Sequence, residues 1–268
     1  MRETAYAKIN LALHVRGRRA DGYHELETLF AFVDQGDELT SQAAARDELK
    51  CFGEFGSELT DPFNNIVTQA LSFLPHGAGW AVSLDKRLPV AAGLGGGSAD
   101  AGAIFRMVDH AHGLPADWHA RAAKLGADVP ACVESVTCIG HGTGTELSPV
   151  INDLAGMPVL LVNPRQKLAT GPVFKGWDGT DRGAMPQGSA REIALNGRND
   201  LEAPAIALCP AIADVLAALS ATGSLLTRMS GSGATCFALY ERHDVMLEAA
   251  ETLASIHPEW WAMAGALR

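Results

Sequence analysis

Four glycines lie close together in the middle of the chain, at Gly93, Gly95, Gly96 and Gly97. Glycine permits positive φ angles and lets the backbone approach a ligand closely. The glycines follow an alternating apolar pattern typical of a strand and precede a helical pattern over residues 99–112. Successive N–H groups ahead of a helix favour a bound phosphate. The pattern predicts a phosphate-binding loop, and a flexible surface linker is the alternative.

Two common phosphate-binding motifs do not fit this loop. A Walker loop has a Lys directly after its last glycine, and no Lys follows Gly97. A dinucleotide fingerprint starting at Gly93 would have its third glycine at position 98, where Ser98 stands. The protein-kinase signatures H-R-D and D-F-G do not occur in the chain. The loop therefore belongs to another class of phosphate-binding protein.

The first strand carries a lysine among apolar residues. Residues 5–15 alternate between apolar and polar positions, which predicts a half-buried strand with Lys8 and Asn10 on its non-core face. Taken alone, Lys8 is interpreted as a solvated charge. Asp128, within residues 126–130, is likewise interpreted alone as a helix-end or turn aspartate.

The elements around these residues follow from periodicity and turn signals. Asn65 is a candidate N-cap for a helix that follows it, and Asp21-Gly22 predicts a turn. A stretch of glycine and proline before residue 157 is the candidate domain boundary. Strands are expected at 26–33, 80–84, 157–162 and 235–240, helices at 118–125, 211–219 and 243–256, turns at 140–144 and 230–233, and a loop at 176–200.

Composition limits the classes of function. The chain has 268 residues and 47% hydrophobic content, enough for a large core and two domains. The net charge of -10 argues against a sequence-independent grip on nucleic acid or on an anionic membrane. No apolar run approaches the roughly 18 to 20 residues of a membrane span. We expect a cytoplasmic protein that acts on a small molecule, with no nucleic-acid or membrane partner and an oligomeric state that the sequence leaves open.

Cysteine and histidine patterns add no metal site. The five cysteines are an odd number and form no C-x-x-C pair, which agrees with a reducing compartment. His110 and His112 are two apart on a predicted helix and point to different faces, so they make a poor metal pair. We interpret Cys132 and Cys138 as packed residues rather than nucleophiles.

Residues 89–99, Pro-Val-Ala-Ala-Gly-Leu-Gly-Gly-Gly-Ser-Ala, resemble the phosphate loop of the galactokinase, homoserine kinase, mevalonate kinase and phosphomevalonate kinase superfamily. Four further blocks resemble one branch of it, which acts on a cytidine-diphosphate-linked sugar alcohol. They are residues 7–11, 19–25, 125–130 and 230–234. The Asp21-Gly-Tyr-His24 segment separates this branch from its sister kinases. The departures are Ala91 and Ala92, where the superfamily often has a further glycine, and Ala99 and Gly102, where serine and alanine are usual.

The resemblance implies an α+β fold with two domains. Residues 1–155 would form the ATP-binding domain, of the ribosomal-protein-S5-domain-2-like type. Residues 156–268 would form a ferredoxin-like domain on the substrate side. The active site would lie in the cleft between the two.

The resemblance also implies a reaction. The chain would use ATP and Mg²⁺ to phosphorylate the 2-hydroxyl of a cytidine-diphosphate-linked methylerythritol, in the non-mevalonate route to isoprenoid precursors. The alternatives are a sister kinase of the homoserine or mevalonate type and a non-catalytic nucleotide-binding regulator.

Site residues carry over from the resembling blocks by position. Asp128 would be the base that takes the hydroxyl proton, and Lys8 would stabilise that aspartate and the transferring phosphoryl group. Tyr23 and Phe174 would stack on the cytosine, and His24 would hydrogen-bond to its edge. Asn10 and Thr170 complete the expected substrate site. The expected ATP site comprises Pro89, Val90, Ala91, Ala92, Gly93, Leu94, Gly95, Gly96, Gly97, Ser98, Ala99, Asn65 and Lys86.

Overall fold

The computed structural model describes residues 1–61 and 64–268. These residues form two compact units, each built from separate stretches of the chain. The first unit contains Met1–Lys8, Gln35–Val90 and Gly95–Ser135. The second unit contains Ile9–Asp34, Ala91–Leu94 and Val136–Arg268. Two long strands, β1 (Arg2–Arg18) and β2 (His24–Ala44), contribute residues to both units.

The rest of the first unit combines two strands, one short 3-10 helix and four α-helices among the described residues. They are β3 (Glu48–Phe52), a short 3-10 helix (Gly56–Glu58), α1 (Ile66–Phe73), β4 (Gly79–Asp85), α2 (Gly96–His112), α3 (Trp118–Leu125) and α4 (Val129–Glu134). Strand β4 pairs antiparallel with the second half of β2 and parallel with β3. Trp80, Val82 and Leu84 alternate with partly exposed neighbours along β4, so one face of the strand covers the core.

Helix α2 is the central helix of the first unit and packs against α1 and α4. Ile104 and Val108 are fully buried, one turn apart on the core face. A Cβ atom at Gly102 would lie 2.4 Å from the carbonyl oxygen of Cys132 on α4, so the glycine permits this close helix approach. The packing fixes the position of the first turn of α2, which begins inside the glycine loop.

The second unit contains two sets of antiparallel strands. Strand β5 (Cys138–Gly142) pairs with the first half of β2 and with β6 (Glu146–Pro149). A four-stranded sheet has the order β10-β7-β9-β8, with all neighbours antiparallel. Its strands are β7 (Pro158–Asn163), β8 (Leu226–Met229), β9 (Cys236–Leu239) and β10 (Trp261–Ala266). The helices are α5 (Thr170–Lys175), α6 (Ala190–Asn196), α7 (Glu202–Leu208), α8 (Ala211–Ser220) and α9 (His243–Ile256).

Most predicted elements are confirmed, as is the α+β class. Asn65 caps α1 as expected, because its Oδ1 accepts a hydrogen bond of 2.9 Å from the N–H of Val67. The helices predicted at 118–125 and 243–256 match α3 and α9 residue for residue. Strong apolar periodicity and a capping side chain are local signals, which explains why these elements were readable.

Strand β1 is buried on both faces over residues 7–15, which corrects the prediction of a half-buried strand. Lys8 and Asn10 are each 3% exposed, and His14 is fully buried. The His14 ring has partners on both sides: Nδ1 lies 3.3 Å from the Gly183 carbonyl oxygen, and Nε2 accepts from the N–H of Arg198 at 3.2 Å. Polar side chains can be buried where they have hydrogen-bond partners. The alternation of apolar and polar residues along a strand does not show whether such partners exist.

Residues 176–200 are not loop throughout, because they contain α6. Ser189 caps this helix, accepting from the N–H of Glu192, whose side chain accepts in return from the N–H of Ser189. This capping box was visible in the sequence as Ser-x-x-Glu and was overlooked. Six further elements were not predicted from the sequence: α4, α5, α7, β3, β8 and β10.

Two expectations about organisation stay predictions: the domain boundary at residue 155 and the location of the active site between the two halves. Within residues 1–61 and 64–268, no helix combines the length and apolar character that crossing a membrane requires.

Candidate active site

Lys8 and Asp128, the two predicted catalytic residues, are in contact in the first unit. Strand β1 supplies Lys8, and Asp128 directly precedes α4. The Lys8 Nζ lies 2.9 Å from Oδ2 of Asp128. The Lys8 side chain is almost completely buried, whereas that of Asp128 is 33% exposed. The pair therefore joins a buried ammonium group to a carboxylate that a solute can reach.

Asp128 occupies the N-cap position of α4, yet its side chain does not cap the helix. Within the described part of the chain, its carboxylate makes no capping hydrogen bond to α4. The carboxylate contacts Lys8 instead. Asp128 is therefore not an ordinary helix-capping aspartate. Its carboxylate oxygens still have lone pairs that can accept a hydrogen bond or a proton from a ligand.

Gly95 places the glycine loop directly against this pair. Its φ angle is +60°, in the left-handed region that favours glycine. A Cβ atom at Gly95 would lie 2.9 Å from Cε of Lys8 and 3.7 Å from Oδ2 of Asp128. Helix α2 begins at the next residue, so its unpaired N-terminal N–H groups and the positive end of its dipole lie beside the pair.

Lys86 and Asn65, the remaining predicted ATP-site residues, are both buried in the first unit. The Lys86 Nζ lies 2.6 Å from Oδ2 of Asp37 and 2.6 Å from Oδ2 of Asp100. A Cβ atom at Gly96 would lie 3.1 Å from the same Nζ. The Lys86 ammonium group thus lies next to the glycine loop on the buried side of the loop.

Residues 91–94 of the loop belong to the second unit, where they pack against the Ser230 block. The Ser230 hydroxyl donates to the Gly93 carbonyl oxygen at 2.8 Å, and the N–H of Thr235 donates to the Ala92 carbonyl oxygen at 3.1 Å. A Cβ atom at Gly93 would lie 2.4 Å from the Ser230 carbonyl oxygen. Two of the blocks that carried the resemblance therefore contact each other.

Ala91 has a φ angle of +55°. This is the position where the superfamily often has a glycine, and a non-glycine residue in the left-handed region costs about 1–2 kcal/mol. The departure from the superfamily pattern at Ala91 therefore strains the backbone at this residue.

Asn10 is held in place within the second unit. Its N–H donates to the Ser230 hydroxyl at 3.2 Å, and its Nδ2 donates to the Thr28 hydroxyl at 2.8 Å. The Thr28 hydroxyl donates in turn to the Ala12 carbonyl oxygen. The side chain of Asn10 is therefore oriented by a buried hydrogen-bond chain rather than by solvent.

His24 and Phe174, both predicted for the cytosine site, lie side by side in the second unit. Their ring centroids are 4.9 Å apart, and the Trp177 ring lies 5.7 Å from His24 at an angle of 85°. Burial, followed by the nearby charge of Arg18, lowers the pKa of His24 below its usual value. The ring is therefore neutral at pH 7. Tyr23 is 64% exposed.

Two buried nitrogens in this aromatic group have no hydrogen-bond partner among the described residues: His24 Nε2 and Trp177 Nε1. Buried polar atoms are usually paired, so such atoms mark a place where a ligand or water belongs. Trp177 was missed by the sequence analysis. Its only signal was an aromatic residue three positions after Phe174. Thr170, also predicted for the substrate, contacts the Ser232 hydroxyl at 3.0 Å.

Comparison with known proteins identifies the family. The family model described as GHMP kinases N terminal domain matches residues 65–140, and GHMP kinases C terminal matches residues 186–258. A 4-diphosphocytidyl-2-C-methyl-D-erythritol kinase from Novosphingobium aromaticivorans is 70% identical over 271 residues, covering 100% of this chain and 93% of the relative.

Solved structures agree with this relationship. The crystal structure of a 4-(cytidine 5'-diphospho)-2C-methyl-D-erythritol kinase matches with a TM-score of 0.82 and 32% identity, covering 100% of this chain and 99% of the other. A homoserine kinase from Cytophaga hutchinsonii matches with a TM-score of 0.69 and 16% identity, covering 97% and 95%, which shows a shared fold alone. The chain belongs to the GHMP kinases and, within them, to the 4-diphosphocytidyl-2-C-methyl-D-erythritol kinase family. The resemblance found in the sequence is confirmed.

The contact between Gly95 and the Lys8–Asp128 pair gives a first testable prediction. A Gly95→Ala substitution adds a Cβ that must displace Lys8 and also imposes an unfavourable φ angle. Since misplacing a catalytic group by about 1 Å can cost about 100-fold, we expect turnover to fall by that order. Steady-state kinetics on the folded variant measures this.

Gly97→Ala is the comparison variant, because a Cβ there would make only an ordinary 3.5 Å contact with Cγ2 of Ile66. It should reduce turnover much less than Gly95→Ala. Equal losses in the two variants would show that Gly95 has no special relation to the pair.

Proposed function

We propose that this chain transfers the γ-phosphoryl group of ATP to the 2-hydroxyl of 4-diphosphocytidyl-2-C-methyl-D-erythritol. The observation that carries the proposal is the Lys8–Asp128 pair, which lies against the glycine loop at Gly95, directly before the first turn of α2. The 70% identical relative bears the name of this kinase, which supports the choice of substrate.

Asp128 acts as the general base. It accepts the proton of the 2-hydroxyl while the hydroxyl oxygen forms a bond to the γ-phosphorus, and the bond from the γ-phosphorus to the bridging oxygen of ADP breaks. The proton later passes from Asp128 to solvent. The partial exposure of its carboxylate gives the substrate access to it.

Lys8 holds Asp128 in one orientation, because its own buried ammonium group requires an opposite charge close by. A lysine beside the site of transfer also stabilises the negative charge of the phosphoryl group. The backbone N–H groups of Gly96, Gly97 and Ser98 at the start of α2 bind phosphate oxygens, with the helix dipole in support.

Magnesium would be supplied together with ATP, as its complex. The described residues contain no group of three or more His, Cys, Asp or Glu side chains that could bind a metal ion. Magnesium in kinases is bound largely by the phosphates and needs only one or two protein oxygens, and the Ser98 hydroxyl at the start of α2 fits that limited role. When bound, the ion neutralises charge on the phosphates.

The cytidine group is bound by the aromatic residues of the second unit. Phe174 and Tyr23 stack on the cytosine, and the neutral His24 offers its unpaired Nε2 to the edge of the base. Asn10 and Thr170 bind the remainder of the substrate, with Asn10 oriented by Thr28. The exposed ring of Tyr23 is available to close on the ligand.

The enzyme acts in the cytoplasm on a small molecule and has no nucleic-acid partner. Its net charge of -10 supports the last point. None of the five cysteines, all of which lie in the described residues, forms a disulfide bond, and burial raises the pKa of the Cys132 thiol, which makes this group an unreactive packed residue.

Asp128→Asn tests the proposed base. An amide cannot accept the hydroxyl proton at neutral pH, so turnover should fall by about 100 to 10,000-fold while ATP binding persists. Lys8→Ala should also reduce kcat strongly. The measurements are kcat, KM and nucleotide affinity for each variant.

Asp117→Asn is the matched control, since Asp117 also precedes a helix and pairs with a cation, Arg121, but lies on the surface. Its turnover should match that of the unaltered protein. Near-normal turnover in Asp128→Asn would remove Asp128 from the mechanism. A higher KM with unchanged kcat in Lys8→Ala would exclude a transition-state role for Lys8.

Base selectivity tests the proposed cytidine site. Stacking on an aromatic ring contributes about 1–3 kcal/mol and does not distinguish cytosine from uracil. A hydrogen-bonding site matched to cytosine leaves buried polar groups unpaired against uracil. Tyr23→Ala should therefore weaken the cytidine and uridine substrates by similar factors, whereas His24→Ala should narrow the difference between them.

The deciding quantity is kcat/KM for the cytidine and uridine substrates in each of the two variants. An undiminished cytidine preference in His24→Ala would mean that the base is recognised elsewhere.

A further inference from the structure

Beneath the glycine loop, the first unit contains three charged side chains that are all shielded from solvent. Asp37, Lys86 and Asp100 are each exposed by 2% or less. The Lys86 Nζ contacts one carboxylate oxygen of each aspartate at 2.6 Å. We call these three residues the buried triad. One lysine between two aspartates is an unusual composition for a protein interior, because buried charges are costly unless they are paired.

The buried triad connects the elements on both sides of the loop. Asp37 lies on β2, and its Oδ1 accepts hydrogen bonds from the N–H groups of Arg87 at 2.6 Å and Leu88 at 2.8 Å. These two residues directly precede residues 89–99. Asp100 lies in the second turn of α2, which begins at Gly96. Through Asp37 and Asp100, Lys86 therefore links residues 87–88, which precede the loop, to helix α2, which follows it.

The lysine and Asp100 of the buried triad differ in how their charges are held: the charge of Lys86 is firmly held, whereas burial opposes that of Asp100. Although burial opposes a charged amine, Asp100 and Asp37 raise the pKa of Lys86 to about 12. Burial, and then the charge of Asp37, raises the pKa of Asp100 well above its usual range despite Lys86. Oδ1 of Asp100 is buried without a hydrogen-bond partner among the described residues. A set of two carboxyl groups around one lysine, with one buried oxygen left without a partner among the described residues, is not an arrangement that stability alone favours.

The triad also meets the loop itself. A Cβ atom at Gly96 would lie 3.1 Å from Nζ of Lys86 and 3.8 Å from Oδ2 of Asp37. The backbone of the first residue of α2 therefore rests on the ammonium group with no space for a side chain between them.

We propose that Lys86 is a positioning residue that fixes the backbone N–H groups of Gly96 and Gly97 for the phosphates of ATP through its two contacts with Asp37 and Asp100. The proposal rests on the proposed function, because it assumes that ATP binds at this loop. Lys86 acts on the nucleotide through the loop and not by touching it, because its ammonium group already contacts both aspartates at 2.6 Å and its side chain is only 3% exposed.

Asp100→Asn gives the sharpest test, because it keeps the shape of the side chain and leaves the Lys86–Asp37 pair intact. We expect the Kd for ADP and the KM for ATP to rise about tenfold, while the KM for the cytidine substrate stays near its original value. Calorimetric titration with ADP and steady-state kinetics provide these numbers. A purely structural role would lower Tm without separating the two substrates.

Lys86→Gln and the double variant Lys86→Gln/Asp100→Asn complete a double-mutant cycle with Asp100→Asn. Because both residues act through one contact, the double variant should bind ADP no more weakly than Lys86→Gln alone. Asp85→Asn is the control: Asp85 precedes Lys86 but pairs with Arg87 near the surface, so ADP affinity should not change.

Unchanged or tighter ADP binding in Asp100→Asn would overturn the proposal, since freeing the ammonium group would then help rather than harm the nucleotide site. That result decides the matter even if Lys86→Gln does not fold. Failure of the unaltered protein to bind ADP would instead refute the proposed function, and the positioning role with it.

Discussion

The contact between Lys8 and Asp128 is the interaction on which the rest of the site depends. A lysine that is almost completely buried must have an opposite charge close by, because an unpaired ammonium group in a protein interior costs several kcal/mol. The contact therefore fixes both side chains. It also requires a glycine at position 95, since the loop touches the pair with no space for a Cβ atom. One ion pair thus orients the proposed base and leaves little space for a side chain in the neighbouring loop.

The same principle of paired burial recurs at the other polar positions. Asn10 is oriented by Thr28, the Gly93 carbonyl oxygen accepts from Ser230, and Lys86 is held between two aspartates. Groups held in this way do not need to reorganise when a ligand binds, and preorganised polar groups are the main source of catalysis in phosphoryl transfer. On β1, the groups preorganised in this way are Lys8 and Asn10, and their burial has a cost in folding free energy that their partners must offset.

Local features were readable from the sequence, and pairings between distant residues were not. The glycine loop and the helix capped by Asn65 were predicted because their signals lie within a few neighbouring residues. The burial of His14 was missed, because its partners Gly183 and Arg198 are far away in the chain. The roles of Asp128 and Lys8 came only from the family resemblance, and periodicity alone assigned both to solvated positions. The buried triad was missed for the same reason, since Asp37 and Asp100 carry no local signal for a shared lysine.

The most direct test of the central claim is to measure ADP release by the unaltered protein with ATP and Mg²⁺, with and without 4-diphosphocytidyl-2-C-methyl-D-erythritol, while phosphorus NMR follows the product. We predict that ADP forms only when this substrate is present and in equal amount to one new phosphate monoester at the 2-hydroxyl. ADP release at the same rate without the substrate, or with homoserine or mevalonate in its place, would contradict the account.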